Sequence, residues 1–120
     1  MSKTVLVADD SASVRQIVSM VLKSSGYTVI EAENGKQALA KLDGQKIHLI
    51  ISDVNMPEMD GLTFIENARK IETYKFTPIL MLTTETDQEL KDRGKAQGIK
   101  AWLVKPFQPP VFLSAISKLT

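Results

Sequence analysis

Leu49-Ile50-Ile51-Ser52-Asp53 is the stretch on which the fold turns: an aliphatic run too short for a helix that stops abruptly at a carboxylate. A run so short and so apolar reads as a strand covered on both faces, the environment of a parallel sheet. The same signature recurs at Val5 to Ala8, Ile79 to Thr83 and Ala101 to Val104, each expected as a buried parallel strand. Tyr27 to Ala32 instead alternates, with Thr28, Ile30 and Ala32 opposite Tyr27, Val29 and Glu31, so it is expected at a sheet edge. Helix-period segments fill the gaps. Val14, Ile17, Val18, Val21 and Leu22 form a stripe that should cover the sheet, and Gly26 stops that helix. Asn34 with Gln37 three residues on predicts a capping box for a second helix through Ala38, Leu39 and Leu42, closed by Gly44. Leu62, Ile65 and Ala68 mark a third helix, Leu90 and Gly94 a fourth beginning near Asp87, and Phe112, Ala115, Ile116 and Leu119 a fifth. The order is βαβαβαβαβα. Right-handed crossovers then give a doubly wound α/β domain over residues 1–120, five parallel strands with helices on both faces; five strands cannot close an eightfold barrel.

Composition narrows the chemistry. At 120 residues and 43% hydrophobic the chain can bury one core without staples. The absence of cysteine removes disulfides, thiolate metal sites and thiol nucleophiles, and a single histidine, His48, removes multi-histidine metal sites. Fifteen basic against fourteen acidic residues leave a net charge of +1, which gives no general attraction to nucleic acid or anionic membrane. No apolar run reaches the roughly 18 residues of a membrane span, and the apolar stretch after Met1 is too short for a secretion signal. A cytoplasmic protein is expected.

In open parallel sheets, sites form beyond the carboxyl ends of the strands. The residues directly after each run here are polar: Asp9-Asp10, then Asp53, then Thr83-Thr84-Glu85, then Lys105-Pro106. Each alone would pass as a solvated loop residue. Together they place three carboxylates, a hydroxyl and an ammonium at one edge, and clustered carboxylates raise one another's pKa unless a cation neutralises them. Oxygen donors without sulfur or imidazole favour Mg²⁺, with Mn²⁺ able to substitute. A hard cation, a carboxylate, a hydroxyl and an ammonium suit phosphoryl transfer onto an aspartate. Asp53 is the best acceptor because it stands alone at the end of a central strand. Asp9 and Asp10 suit the cation, and Asn55 offers a further carbonyl.

Asp9-Asp10-Ser11, the run Asp53-Val54-Asn55-Met56-Pro57-Glu58-Met59-Asp60-Gly61, Leu82-Thr83-Thr84-Glu85 and Lys105-Pro106-Phe107 together resemble the receiver domain of two-component response regulators, and within it the single-domain chemotaxis regulators. The resemblance covers the whole chain. It implies the flavodoxin-like sheet order 2-1-3-4-5. It makes Asp53 the phosphoacceptor, with Asp10, Asp53 and the Asn55 backbone carbonyl as direct Mg²⁺ ligands and Asp9 acting through water. Lys105, preceding a proline and commonly cis in the family, would contact the phosphoryl group. Thr83 would bond a phosphoryl oxygen and draw its loop inward, with Trp102 moving in concert. Trp102 stands where tyrosine or phenylalanine is more usual, and Thr84 where a smaller residue is common. Asn55 and Glu85 occupy the positions that tune phosphoryl lifetime, and as polar side chains they match the chemotaxis regulators. The chain is then a phosphoacceptor that catalyses its own phosphorylation and dephosphorylation, not an enzyme acting on other substrates. Its donor is a sensor histidine kinase and its target a protein such as the flagellar motor switch; a monomer is expected. A phosphorelay intermediate or another single-domain regulator is the alternative. Only fifteen residues come after Lys105, room for one helix and no output module.

Two other classes share this topology. A haloacid dehalogenase-type phosphatase needs a second aspartate two residues after its nucleophile, where Asp53 has Asn55. A flavin module needs a Ser/Thr/Gly-rich phosphate loop after strand one, where Asp9-Asp10 would repel the phosphate. Among the remaining features, His48 reads as structural, being at the opposite end of its strand from the cluster, and Gly61 as turn chemistry. Met20, Met56, Met59 and Met81 read as packing or loop residues. Lys91, Arg93, Lys95 and Lys100 form a basic run that is either a solvated face or a docking site for an acidic partner.

Overall fold

In the computed structural model, which describes residues 3–120, the strands are β1 (Thr4–Ala8), β2 (Thr28–Ala32), β3 (Leu49–Ser52), β4 (Ile79–Thr83) and β5 (Ala101–Val104). The helices are α1 (Ala12–Ser24), α2 (Gly35–Lys41), α3 (Gly61–Ala68), α4 (Gln88–Ala96) and α5 (Pro109–Leu119), with a short 3₁₀ turn at Glu72–Tyr74. All five strands pair in parallel in the order β2-β1-β3-β4-β5, as expected. Met1 and Ser2, which open the stretch read against a secretion signal, lie outside the described residues. No helix among the described residues is long and apolar enough to cross a membrane.

Strand alternation sorts the core into two layers. Leu6, Ile50, Ile79 and Met81 face one side and pack with Leu62, Phe64 and Ile65 of α3 and Ala38 of α2. Val5, Val7, Leu49, Ile51, Leu80 and Leu82 face the other and pack with Val18 and Leu22 of α1 and Phe112 and Ile116 of α5. The runs of β1, β3 and β4 are buried on both faces, which is why they carry no polar alternation.

Local sequence sets the helix ends. The side chains of Ser11, Asn34, Asp60 and Asp87 each accept a backbone N–H of the first turn, contacts of about 1 kcal/mol apiece. The Asn34 box differs from expectation: Gln37 returns its hydrogen bond to the N–H of Glu33, one residue early. Gly26 and Gly44 take positive φ after α1 and α2, where the chain must leave the helix.

Three sequence expectations need correction. β5 is only partly buried and Val104 is 47% exposed, because this run is the second edge of the sheet. An apolar run reports hydrophobicity, not how many neighbours a strand will have. On α1, Ile17 is 47% exposed, so the covered stripe is narrower than the periodic one, and Met20, read as a packing or loop residue, stands 64% exposed on the helix. The positive φ in the loop before α3 belongs to Glu58 and not to Gly61, which is instead the first residue of the helix.

Candidate functional site

The carboxyl ends of the three central strands and β5 bring the expected residues together. β1 ends one residue before Asp9, β3 one before Asp53, and Asp53 N–H donates to the Ala8 carbonyl, locking the two ends in register. Carboxylate oxygens of Asp9, Asp10 and Asp53 lie within 4.8 Å of one another. The Lys105 ammonium reaches across from the end of β5 to Asp9 Oδ2 at 2.7 Å and Asp53 Oδ2 at 2.9 Å. Asp9 and Asp53 are buried, whereas Asp10 is exposed. The second oxygens of the buried pair are also occupied: Ser11 N–H donates to Asp9 Oδ1 and Val54 N–H to Asp53 Oδ1. The Lys105–Pro106 bond is cis.

The electrostatics come from that arrangement. Burial pushes the Asp9 carboxyl above the ordinary aspartate range, against the downward pull of hydrogen bonds from Lys105 and Ser11. Burial would lower the Lys105 pKa, but its hydrogen bonds to Asp9 and Asp53 and their charges outweigh this and hold it above its usual value. An acid whose pKa is raised on folding is ionised at a cost to stability, and that cost fades as pH falls through its folded pKa. Asp9→Asn is therefore expected to melt a few degrees higher than the wild type at neutral pH in metal-free buffer, as about 1 kcal/mol would give. The gap should close on acidification. Calorimetry across the acid range checks this, and a variant less stable than wild type at neutral pH would contradict it.

Thr83, at the end of β4, is fully buried and its Oγ1 accepts from Glu85 N–H at 3.1 Å. The Trp102 indole N–H donates to the Glu85 carbonyl at 2.9 Å, so the loop after β4 is tied to Thr83 on one side and to β5 on the other. Asn55 is exposed and its amide donates to Glu85 Oε2 at 3.3 Å. Thr84 points to solvent beside Lys105 and Ile17 in an apolar cleft of about 410 Å³.

Two positioning residues escape a reading of the sequence. Gly61 approaches the backbone of Asp53 so closely that a Cβ there would stand 1.8 Å from the Asp53 carbonyl oxygen, while its N–H donates to Val54 O at 2.8 Å. Arg15 on α1 donates to the Asp9 backbone carbonyl at 2.6 Å and lies 3.5 Å from Glu31. The only sequence signal for Gly61 is its place just after Asp60; for Arg15 there is none. His48 lies at the far end of the sheet, as expected, where its Nδ1 accepts from Thr4 N–H and its own N–H donates to Thr4 O. The basic run divides: Arg93 pairs with Glu66 of α3, while Lys91, Lys95 and Lys100 line a small cleft beside Trp102.

Residues 5–117 match the response regulator receiver domain. The chain belongs to that family. Its receiver relatives include the chemotaxis protein CheY1 of Helicobacter pylori, 40% identical over 108 residues that cover 88% of this chain and 87% of that protein. The solved structure of chemotaxis protein CheY4 from Vibrio cholerae is 49% identical and superposes over 100% of both chains with a TM-score of 0.94. The transcriptional regulatory protein ResD of Bacillus subtilis is also 40% identical, but this receiver spans only 42% of it. CheY-like receiver domains are phosphoacceptors, bind Mg²⁺ generally, and work with histidine kinases and downstream targets. The all-oxygen set at Asp9, Asp10 and Asp53 fits a hard divalent cation.

Proposed function

We propose that this receiver domain is a single-domain phosphorylation switch of chemotaxis type, located in the cytoplasm and monomeric. It takes a phosphoryl group from the phosphohistidine of a sensor histidine kinase onto Asp53. The observation that carries this reading is the Lys105 ammonium shared between buried Asp9 and Asp53 beside an exposed, unshared Asp10. An Asp53 oxygen attacks phosphorus in line; the P–N bond breaks, and its electron pair stays with the imidazole, which takes up a proton. Lys105, already at the carboxylate, is placed to meet the phosphoryl oxygens with its positive charge. Mg²⁺, when bound, supplies further neutralisation of that charge. Asp10, Asp53 and the Asn55 backbone carbonyl would hold it directly, and Asp9 through water. Thr83 would bond a phosphoryl oxygen, and Asn55 and Glu85, joined over the site entrance, would govern access of the hydrolytic water.

Incubation with acetyl phosphate and Mg²⁺ followed by intact mass tests the reading. A phosphoryl adduct mapping to Asp53 is expected. Turnover of acetyl phosphate with no adduct would favour a phosphatase instead. The downstream target is a protein such as a flagellar motor switch component, by likeness to chemotaxis relatives; the alternative is a phosphorelay intermediate. Pull-down from lysate with and without phosphorylation separates the two.

Asp10→Ala should weaken Mg²⁺ binding more than Asp9→Ala, about tenfold or more against a smaller loss. The Asp10 carboxylate is exposed and available for direct ligation, whereas Asp9 is committed to Lys105 and Ser11. Equal or reversed losses in a Mg²⁺ titration would count against this assignment.

Trp102 offers an optical readout. For Thr83 Oγ1 to turn toward a phosphoryl group it must release Glu85 N–H, and the Glu85 carbonyl is the indole's hydrogen-bond partner. Beryllofluoride with Mg²⁺, standing in for the phosphoryl group, should change tryptophan emission beyond any effect of Mg²⁺ alone. The change should vanish in Asp53→Asn and shrink in Thr83→Ala. Identical responses in all three proteins would disprove the coupling.

A further inference from the structure

The amino ends of β4 and β5 lie at the end of the sheet opposite the carboxylate cluster. There a cleft of about 470 Å³ opens between the segment after α3 and the end of α4. Its lining includes Arg69, Lys75 and Lys100 and contains no carboxylate. None of the three cations makes an ion pair among the described residues, in a chain whose net charge is only +1. Arg69 is the most committed of them. Its Nε donates to Gln97 O at 2.8 Å, and its Nη1 to Thr77 O at 2.6 Å and Tyr74 O at 3.1 Å, which fixes the guanidinium plane through backbone carbonyls. Nη2 is left beside Gly98, 3.8 Å from where a Cβ would stand. Partial burial lowers the Arg69 pKa, as expected of a cation with no anion to balance it.

Phe76 stands on the same rim. It is 87% exposed, the most exposed of the large hydrophobic side chains, with the Lys75 ammonium 5.6 Å from its ring centroid. A small free anion would use the cations and leave this ring in water. An aromatic beside a fixed guanidinium and two exposed ammonium groups has the composition of a protein-binding hot spot.

We propose that this cleft docks an acidic segment of a partner protein, its carboxylates meeting Arg69, Lys75 and Lys100 while one apolar side chain covers Phe76. Charge complementarity selects the occupant, since three cations in a lining without a carboxylate attract an acidic surface and repel a basic one. The proposal does not rest on the phosphoryl-transfer reading, because the two surfaces occupy opposite ends of the strands.

The test titrates the isotopically labelled full chain with a capped peptide Glu-Asp-Glu-Leu-Glu-Asp-Glu, tracking backbone amides by NMR. Saturable shifts centred on Arg69, Lys75, Phe76, Gly98 and Lys100 are expected. Phe76→Ala and Lys75→Glu should each weaken binding at least about fivefold. Both side chains are exposed, so melting temperature and acetyl phosphate labelling should stay at wild-type values. Absence of saturable shifts, shifts centred elsewhere, or undiminished binding by either variant would overturn the proposal. An equal response to inorganic phosphate, or to an all-glutamate peptide without the leucine, would overturn it too, since the site would then recognise charge alone.

Discussion

Phosphorylation of Asp53→Asn by acetyl phosphate is expected to fall below detection by intact mass and by phosphoryl transfer from a kinase. The amide is a poor nucleophile, and the substitution removes one of three anionic oxygens that lie within 4.8 Å of one another. The variant should remain folded. Lys105 keeps Asp9 as a partner at 2.7 Å, and loss of the Asp53 charge relieves a repulsion that raises the Asp9 pKa. The volume is nearly unchanged. Labelling at a normal rate on another residue would remove Asp53 from the reaction, and a variant that fails to fold would instead show the acid to be structural.

The second large effect is expected from a residue with no side chain. Gly61→Ala would put a methyl 1.8 Å from the Asp53 carbonyl oxygen and 2.9 Å from Ser52 Oγ, with backbone on both sides of the clash. Either α3 moves away or the end of β3 does. Overpacking on this scale costs about 3 kcal/mol, and a displacement of Asp53 by even ~1 Å can slow a positioned reaction by as much as ~10²-fold. A lowered melting temperature together with slower acetyl phosphate labelling of the protein that remains folded is therefore predicted. Gly26→Ala is the matched control: its φ of +90° carries strain, but nothing lies within 4 Å of the added methyl. It should lose stability and keep its labelling rate. Equal labelling rates in the two variants would refute a positioning role for Gly61.

The site residues legible in the sequence share one property: chain order alone tells where they go. Asp9, Asp53, Thr83 and Lys105 each stand at the end of an apolar run or just beyond it, and a parallel sheet sends all such positions to one edge. The runs at Leu49–Ser52, Ile79–Thr83 and Ala101–Val104 coincide with β3, β4 and β5. Features that depend on distance across the fold stay hidden. The buried Tyr74 lies in a 3₁₀ turn with no apolar period, held by hydroxyl bonds to Gly44 N–H and Gln45 O thirty and twenty-nine residues earlier. Gly61 reads as a turn glycine because a close approach leaves no mark in the local sequence. The exposure of β5 leaves no mark in its own run, because the number of strands flanking a run is a property of topology, carried here only by the sheet order that the family resemblance implied. The indole bond from Trp102 to Glu85 joins residues seventeen apart whose proximity exists only once β4 and β5 pair.

The half-covered β5 has a consequence for solubility. A sheet with two open edges invites a second molecule to continue the hydrogen-bond ladder, and flat apolar edges are where fibrous association begins. Here the outer strand is four residues long, bracketed by Lys100 before it and by Lys105-Pro106 after it. The exposed Lys100 penalises stacking of like strands at one end, and at the other the proline lacks the N–H that would extend the ladder. Lys105 itself is turned inward to Asp9 and Asp53, so protection of this edge falls to Lys100 and Pro106. Substitutions that remove the Lys100 charge should therefore be watched for turbidity.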